Sequence, residues 1–225
     1  MYILLVAATR IEIEPTLQLL EQQHNQLNMH HIQVLITGVG SVPVSYQLTR
    51  SLASHRPDYL LQAGIGGSFS TTCPPGSAAF IQEEVMGDVG VEEEGVFKDV
   101  FDMQLQQTGA HPYTGNSLIN PYCNNWQQHG LPFVKGITIN EITTRWERIE
   151  QLQQKYHPVV ESMEGAAFHY VALMENIPFM QLRTVSNYVG ERDKAKWKMK
   201  EAIELLNQKL VEIVNGQWSM VNGQW

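Results

Sequence analysis

Chemically capable side chains cluster where short apolar runs end: Glu12 and Glu14 in ATRIEIEP, Gly64, Gly66 and Gly67 in QAGIGGSFS, Glu164 in ESMEGAA, and Arg183 and Asn187 in RTVSNY. Two carboxylates, a guanidinium, an amide and a glycine-rich turn would make a catalytic pocket if the chain gathers them. Each also has a plain reading. Glu12, Glu14 and Glu164 suit the first turn of a helix, where acids complement the dipole. Met163 suits a core, Arg183 a structural ion pair, and the glycines a tight turn. Singly, these readings hold their own; the grouping is what points to a site. Other chemistries lack their patterns. The glycine stretch has neither the lysine of a phosphate-binding loop nor the spacing of GxGxxG. Eight histidines show no HExxH or similar ligand spacing, so no metal site is expected. Neither Cys73 nor Cys123 lies in a CxxC, and there is no GxSxG nucleophile elbow.

The elements that must position these residues follow from hydrophobic periodicity. Apolar runs predict strands over 3–8, 32–37, 59–63, 78–85, 133–139, 159–162 and 179–185. Three- and four-residue apolar spacing predicts helices over 14–23, 43–54, 144–155, 165–175 and 194–214, the last capped by Asp193. Such alternation predicts an α/β fold, a three-layer α/β/α sandwich around a mixed, mostly parallel central sheet. In open sheets of this kind ligands collect at the carboxyl ends of strands, where the residues above fall. Residues 87–122 break the pattern and read as a long loop region, with the acidic run 92–94 as a solvated turn. VNGQW occurs at 214–218 and again at 221–225, so residues 1–214 are expected to form one catalytic domain and 215–225 a tail.

Whole-chain properties narrow the class. At 225 residues, 43% hydrophobic and 17% charged, the chain suits one globular domain. A net charge of -8 argues against nucleic acid, whose phosphates need a cationic surface. Two cysteines are too few for a disulfide framework, which makes a reduced, cytoplasmic setting the expectation. The opening MYILLVAATR lacks the basic region of a signal sequence and reads as a strand. No apolar run approaches the roughly 18–20 residues of a membrane helix, so no membrane partner is expected.

ATRIEIEP, TGVG at 37–40, QAGIGGSF, ESMEGAA and RTVSNY occur in this order, and in that order the chain resembles the nucleoside phosphorylase and nucleosidase superfamily. Within it, residues 1–214 look most like the futalosine hydrolases, relatives of the methylthioadenosine/S-adenosylhomocysteine nucleosidases. The resemblance implies a nucleoside phosphorylase-like fold, cleavage of an N-glycosidic bond, no cofactor, a small-molecule nucleoside partner and self-association into a homo-oligomer. As that bond breaks, the ribose becomes oxocarbenium-like and the purine leaves with negative charge. By resemblance, Glu12 activates water (with Glu14 as near rival), Arg183 orients it, Glu164 grips the ribose hydroxyls, and Met163 lies against the sugar. Gly64 and Ile65 border the site, as do Glu141 and Ile142 from a base-facing segment at 138–145.

Asn187 stands where adenine-cleaving members of the superfamily carry aspartic acid. An amide cannot act as a general acid, but its NH2 can donate to N7 and to a 6-oxo oxygen, which hypoxanthine offers and adenine does not. A mispaired buried polar group costs about 1–3 kcal/mol, enough to bias the choice of purine. The resemblance therefore implies release of hypoxanthine from futalosine, a step of menaquinone synthesis. The alternatives are a nucleosidase for methylthioadenosine, S-adenosylhomocysteine or aminodeoxyfutalosine, a phosphorylase, and a non-catalytic nucleoside-binding protein. GIGGSFS and TGVGSVP contain no Arg or Lys to hold phosphate, which favours hydrolysis. Where the nucleosidases have serine in the glycine turn this chain has Ile65. The carboxylated aromatic arm of futalosine needs an apolar slot with a cation or hydroxyl, sought at Phe69, in the loop 109–116, or in a second subunit.

Overall fold

The computed structural model describes residues 1–22 and 31–215. Its strands are β1 (Tyr2–Ala7), β2 (His31–Ile36), β3 (Tyr59–Ser68), β4 (Ala78–Met86), β5 (Gly90–Glu93), β6 (Val96–Asp99), β7 (Leu118–Ile119), β8 (Phe133–Thr138), β9 (Val160–Ser162) and β10 (Phe179–Tyr188). The helices are α1 (Arg10–Gln22), α2 (Ser41–Ser54), α3 (Trp146–Tyr156), α4 (Gly165–Met174) and α5 (Met199–Asn215). The tail expected at 215–225 lies, beyond Asn215, outside the described residues.

The alternating side chains of β1 go to opposite faces, as strand geometry requires. Ile3, Leu5 and Ala7 pack with Ile13 and Leu17 of α1 and with Leu206, Leu210 and Ile213 of α5. Leu4 and Val6 pack with Val44 and Leu48 of α2 and Phe168 of α4 on the other face. The Gly165–Met174 helix is apolar almost all round and correspondingly buried, since it is enclosed between α2 and the sheet.

The sheet is mixed. β1 runs parallel to β2 and β3, β10 parallel to β3, and β8 parallel to β4 and β9; the β10–β4, β3–β9 and β4–β7 pairs are antiparallel. Because β3 pairs with both β10 and β9, the strands β3, β10, β4, β8 and β9 form a closed circuit, with β1 and β2 continuing from β3 as a flange. The α/β fold and mixed sheet match the sequence reading, but a closed circuit replaces the open layer of a sandwich over those five strands.

Glycine explains the closure. The stretch 64–67, expected to be a turn ending a short strand, is instead the second half of a ten-residue strand. β3 pairs with β1 through residues 59–62 and with β9 through Gly67 and Ser68, so one strand changes neighbours along its length. A Cβ at Gly66 would lie 2.8 Å from the Glu161 carbonyl oxygen and 2.8 Å from Val160 Cγ1, which a side chain could not tolerate. Two helix starts also differ from expectation. α1 begins at Arg10 rather than 14, where the Glu12 side chain reaches back to accept from the Thr9 amide, and Pro15 is carried inside the helix. Asp193 caps a short 3-10 turn, Lys194–Lys196, and α5 begins only at Met199.

The segment 87–122 contains the β5–β6 hairpin and β7, with Glu94 and Gly95 at the hairpin turn in positive φ. The acidic run is thus an exposed hairpin tip, with Lys98 paired to Glu93 at 2.8 Å.

Candidate active site

A cavity of about 400 Å³ opens at the ends of β1, β3, β9 and β10, and Glu12, Ile65, Ile142, Met163, Glu164 and Asn187 all line it. Four chain segments far apart in sequence thus bring their chemically capable residues to one hollow. Gly64 and Arg183 lie immediately behind its wall. Glu141 is exposed and does not line it, so of the two residues chosen from the segment 138–145 only Ile142 reaches the cavity.

Glu12 sits at the start of α1, nearly buried, with both oxygens occupied by donors. Oε1 accepts from the Ile65 amide at 3.1 Å; Oε2 accepts from the Thr9 amide at 3.1 Å and the Thr9 hydroxyl at 2.8 Å. These bonds fix the carboxyl group in position. They also show that the helix-start reading of Glu12 and the site reading coexist. Glu14 is different: it points along the exposed face of α1 to Arg10, at 2.7 Å.

Glu164 is buried at the start of α4. Its Oε1 accepts from the Gly40 amide at 3.1 Å and its Oε2 from Arg183 Nη1 at 3.3 Å. The TGVG motif therefore supplies a backbone donor to this acid, with Gly40 at φ 98, a region that glycine enters without strain. Arg183, 1% exposed, also donates Nη1 to the Ile65 carbonyl at 3.3 Å. It stands behind Glu164 rather than in the cavity, paired with that acid instead of reaching a water directly. A Cβ at Gly64 would fall on Arg183 Nη1 and lie 3.2 Å from Glu12 Oε1. Glycine at 64 is what lets the guanidinium and both acids approach one another.

Asn187 follows a bulge in β10: Val185 pairs with Gly66 and Asn187 with Gly67, leaving Ser186 unpaired. The bulge presents two consecutive side chains, Ser186 and Asn187, to the cavity. The amide is oriented by its neighbours. Nδ2 donates to the Tyr188 carbonyl at 2.8 Å and Oδ1 accepts from the Ser186 hydroxyl at 2.8 Å. One N–H of the amide therefore remains for a ligand.

Residues not singled out from sequence complete the hollow. Glu161, two positions before Met163, lines it with its carboxyl raised to about 7 by burial, against the opposing bond from the Thr143 amide. Arg192, Trp197, Met199 and Ile203 close another side, with the Arg192 guanidinium 5.5 Å over the Trp197 ring. Glu161 was legible as the first acid of ESMEGAA. Trp197 was hidden by the expectation of an unbroken helix from 194. Phe69 packs instead with Val85, Ile137, Leu152 and Tyr156, and none of the loop 109–116 lines the cavity.

Among the described residues no three His, Cys, Asp or Glu side chains are gathered to hold a metal ion, and no helix is long and apolar enough to cross a membrane. His169 is buried against Phe179 and kept neutral, pushed down to about 3 by burial. Both cysteines are free.

Residues 8–215 match the family model of the phosphorylase superfamily. The chain is 29% identical over 174 residues to the futalosine hydrolase of Thermus thermophilus, covering 76% of each protein. It is 26% identical over 180 residues to the 5'-methylthioadenosine/S-adenosylhomocysteine nucleosidase of Maridesulfovibrio salexigens, covering 74% of this chain and 72% of the relative. Among solved structures, the native futalosine hydrolase of Helicobacter pylori shares the fold with a TM-score of 0.78 at 17% identity, over 95% of this chain and 97% of that one. The 5'-methylthioadenosine/S-adenosylhomocysteine nucleosidase of Neisseria meningitidis in complex with methylthio-immucillin-A shares it with a TM-score of 0.77 at 15% identity, over 95% and 98%.

Proposed function

The chain belongs to the phosphorylase superfamily, and on that footing we propose that it hydrolyses the N-glycosidic bond of futalosine, releasing hypoxanthine, as an enzyme of menaquinone synthesis in the cytoplasm. The observation that carries the reading is the meeting of Glu12, Glu164 and Asn187 at one cavity.

The reaction needs charge stabilisation where charge develops. Glu164, paired with Arg183, accepts from the ribose hydroxyls and stabilises the oxocarbenium-like sugar, with Met163 against its face. Glu12, fixed by Thr9 and Ile65, takes the proton of the attacking water. The free N–H of Asn187 donates to the edge of the purine, and a 6-oxo base offers acceptors there. The Tyr188 carbonyl keeps the amide nitrogen on that side, which supports hypoxanthine over adenine.

Water rather than phosphate is favoured as the nucleophile, because Glu12, Glu161 and Glu164 line the cavity and Arg192 is the one cation lining it among the described residues. Arg192 above Trp197, beside Met199 and Ile203, has the character that a carboxylated aromatic arm requires: an apolar slot with one cation. Ile11 and Val39 at the cavity, 76% and 50% exposed, continue onto exposed Val42 and Tyr46 of α2, and this apolar strip supports self-association near the mouth.

The test is incubation with futalosine, aminodeoxyfutalosine, methylthioadenosine and inosine, with and without phosphate, followed by chromatography of the freed bases. Hypoxanthine released from futalosine independently of phosphate is the expected result. Preferential release of adenine would assign the chain to the methylthioadenosine-type nucleosidases, and dependence on phosphate to the phosphorylases.

A further inference from the structure

Departure of a purine creates a need that Asn187 leaves unmet. As the glycosidic bond breaks, its electron pair moves onto the base, which must gain a proton to leave as a neutral molecule. A carboxamide has no proton to give. Glu12 is assigned to water, Glu164 is paired with Arg183 and assigned to the ribose, and the guanidinium of Arg192 does not deprotonate. Among the described residues, Glu161 is the remaining titratable group lining the cavity.

Its placement is specific. Gly67 pairs with Glu161 on one side and with Asn187 on the other. Residues paired across adjacent strands project to the same face, and two strand spacings separate the outer backbones by about 10 Å. Gly67 has no side chain, so the floor between the carboxyl and the amide is open. A flat base lying over Gly67 can turn N7 toward Glu161 and its 6-oxo oxygen toward Asn187; the amide has one N–H left after its bond to the Tyr188 carbonyl, and spending it on the oxo group leaves N7 to Glu161. Glu161 is 7% exposed; its Oε1 accepts weakly from the Thr143 amide at 3.5 Å, and its Oε2 has no partner among the described residues. A buried carboxyl oxygen at a cavity with no protein partner is a group waiting for a ligand.

From this geometry we infer that Glu161 is the acid that protonates the departing purine, dividing between two residues the donor and acid duties that a single aspartic acid at 187 could combine. The inference rests on the hydrolase reading above. The C1′–N9 bond breaks with its electron pair going to the purine, and the water oxygen bonds to C1′. One water proton passes to Glu12 and the Glu161 proton passes to N7 of the base. Exchange with solvent then returns a proton from Glu12 to Glu161, so the cycle closes without another reactant. Burial supports the assignment, because it keeps the Glu161 carboxyl protonated up to about pH 7. The charges around it are consistent with this. Asp88, beyond the Thr143 segment, raises it further. Glu12 of α1 and Glu164 are acids at the same cavity, and the cations are Arg183, committed to Glu164, and the exposed Arg192. On the flanking strands, Ser68 of β3 is neutral and Lys135 of β8 is paired with Glu83 at 2.7 Å.

The experiment compares wild-type protein and Glu161→Gln on futalosine and on futalosine methylated at N7, whose base already leaves as a neutral molecule without gaining a proton. Glutamine keeps the shape and the Thr143 bond but holds no acidic proton. For Glu161→Gln we expect about a 100-fold or greater loss of kcat on futalosine and near wild-type turnover of the methylated substrate. Equal losses on both substrates, or no loss on either, would overturn the inference. Wild-type protein supplies an arm that needs no variant: kcat/KM for futalosine should fall as pH rises through about 7, and a profile flat across that range would also overturn it. Wild-type protein that releases no hypoxanthine from futalosine would remove the hydrolase reading and this inference with it, an outcome distinct from any difference between the two proteins.

Discussion

Replacing Glu12 with glutamine separates two jobs that one side chain holds. Its carboxylate accepts from three donors, the Ile65 amide, the Thr9 amide and the Thr9 hydroxyl. Glutamine has one oxygen to offer. Whichever way its amide turns, an NH2 faces a backbone N–H, at Ile65 or at Thr9, and that donor is left unmatched. The stability cost is about 1–3 kcal/mol, which for a chain of this size lowers Tm by about 2–4 °C per kcal/mol. Loss of a general base costs more where it matters: about 10²- to 10⁴-fold in kcat, or roughly 3–5 kcal/mol of barrier. Thr9→Ala serves as the control, because it removes the hydroxyl donor to Glu12, a loss of about 1 kcal/mol, while leaving the carboxylate and the Thr9 amide in place. Turnover of futalosine, its binding by calorimetry, and thermal unfolding should be measured on both. We expect both variants to lose stability, and Glu12→Gln alone to lose more than about 100-fold in kcat while still binding substrate. If Glu12→Gln kept turnover within about threefold of wild type, Glu12 would be a helix cap and nothing more.

Three further outcomes follow from the geometry. In Asn187→Asp, a carboxyl oxygen would face the Tyr188 carbonyl that now receives an N–H at 2.8 Å, so the new acid must hold a proton or turn away. The ratio of adenine to hypoxanthine released from paired 6-amino and 6-oxo substrates should rise about tenfold or more, and an unchanged ratio would remove Asn187 from the choice of base. Arg192→Ala should raise KM for futalosine about tenfold or more and leave that for methylthioadenosine within about twofold; equal effects on both would separate Arg192 from the carboxylated arm. Glu84 is fully buried, bonded to Gln181 at 3.0 Å and Thr138 at 3.0 Å, with its carboxyl raised by burial from 4.5 to about 7. Its folded form holds the proton more tightly than the unfolded chain does. The stability it contributes is therefore full below about pH 4.5 and lost as pH rises through about 7, a change on the order of 3 kcal/mol. Glu84→Gln stays neutral throughout, and its amide oxygen can still accept from Gln181 Nε2. Urea unfolding at pH 5 and pH 8 should show a smaller difference for the variant than for wild type, and an equal difference would locate the pH dependence elsewhere.

Much of this chain was readable before any coordinates. Local patterning is a property of neighbouring residues, so the short apolar run YILLVA marked a strand, and the apolar spacing around Leu206 and Leu210 marked a helix. The candidate residues stood at strand ends for the same reason: polar groups at the close of a buried run need a purpose. Partner choice across the sheet, by contrast, depends on shape at a distance. Nothing in GIGGS by itself distinguishes a turn from a strand that threads between Arg183 and Glu161, because that depends on what lies beside the missing Cβ atoms. The closure through β3, β9 and β10 follows from those contacts. The same holds for Glu161 and Arg183. Their charges were visible in the sequence, but tertiary structure alone placed one at the cavity with a carboxyl oxygen that has no partner among the described residues, and the other behind Glu164. Burial then changed the chemistry of the first by withdrawing water from its carboxyl, a cost that no pattern of neighbouring residues reveals.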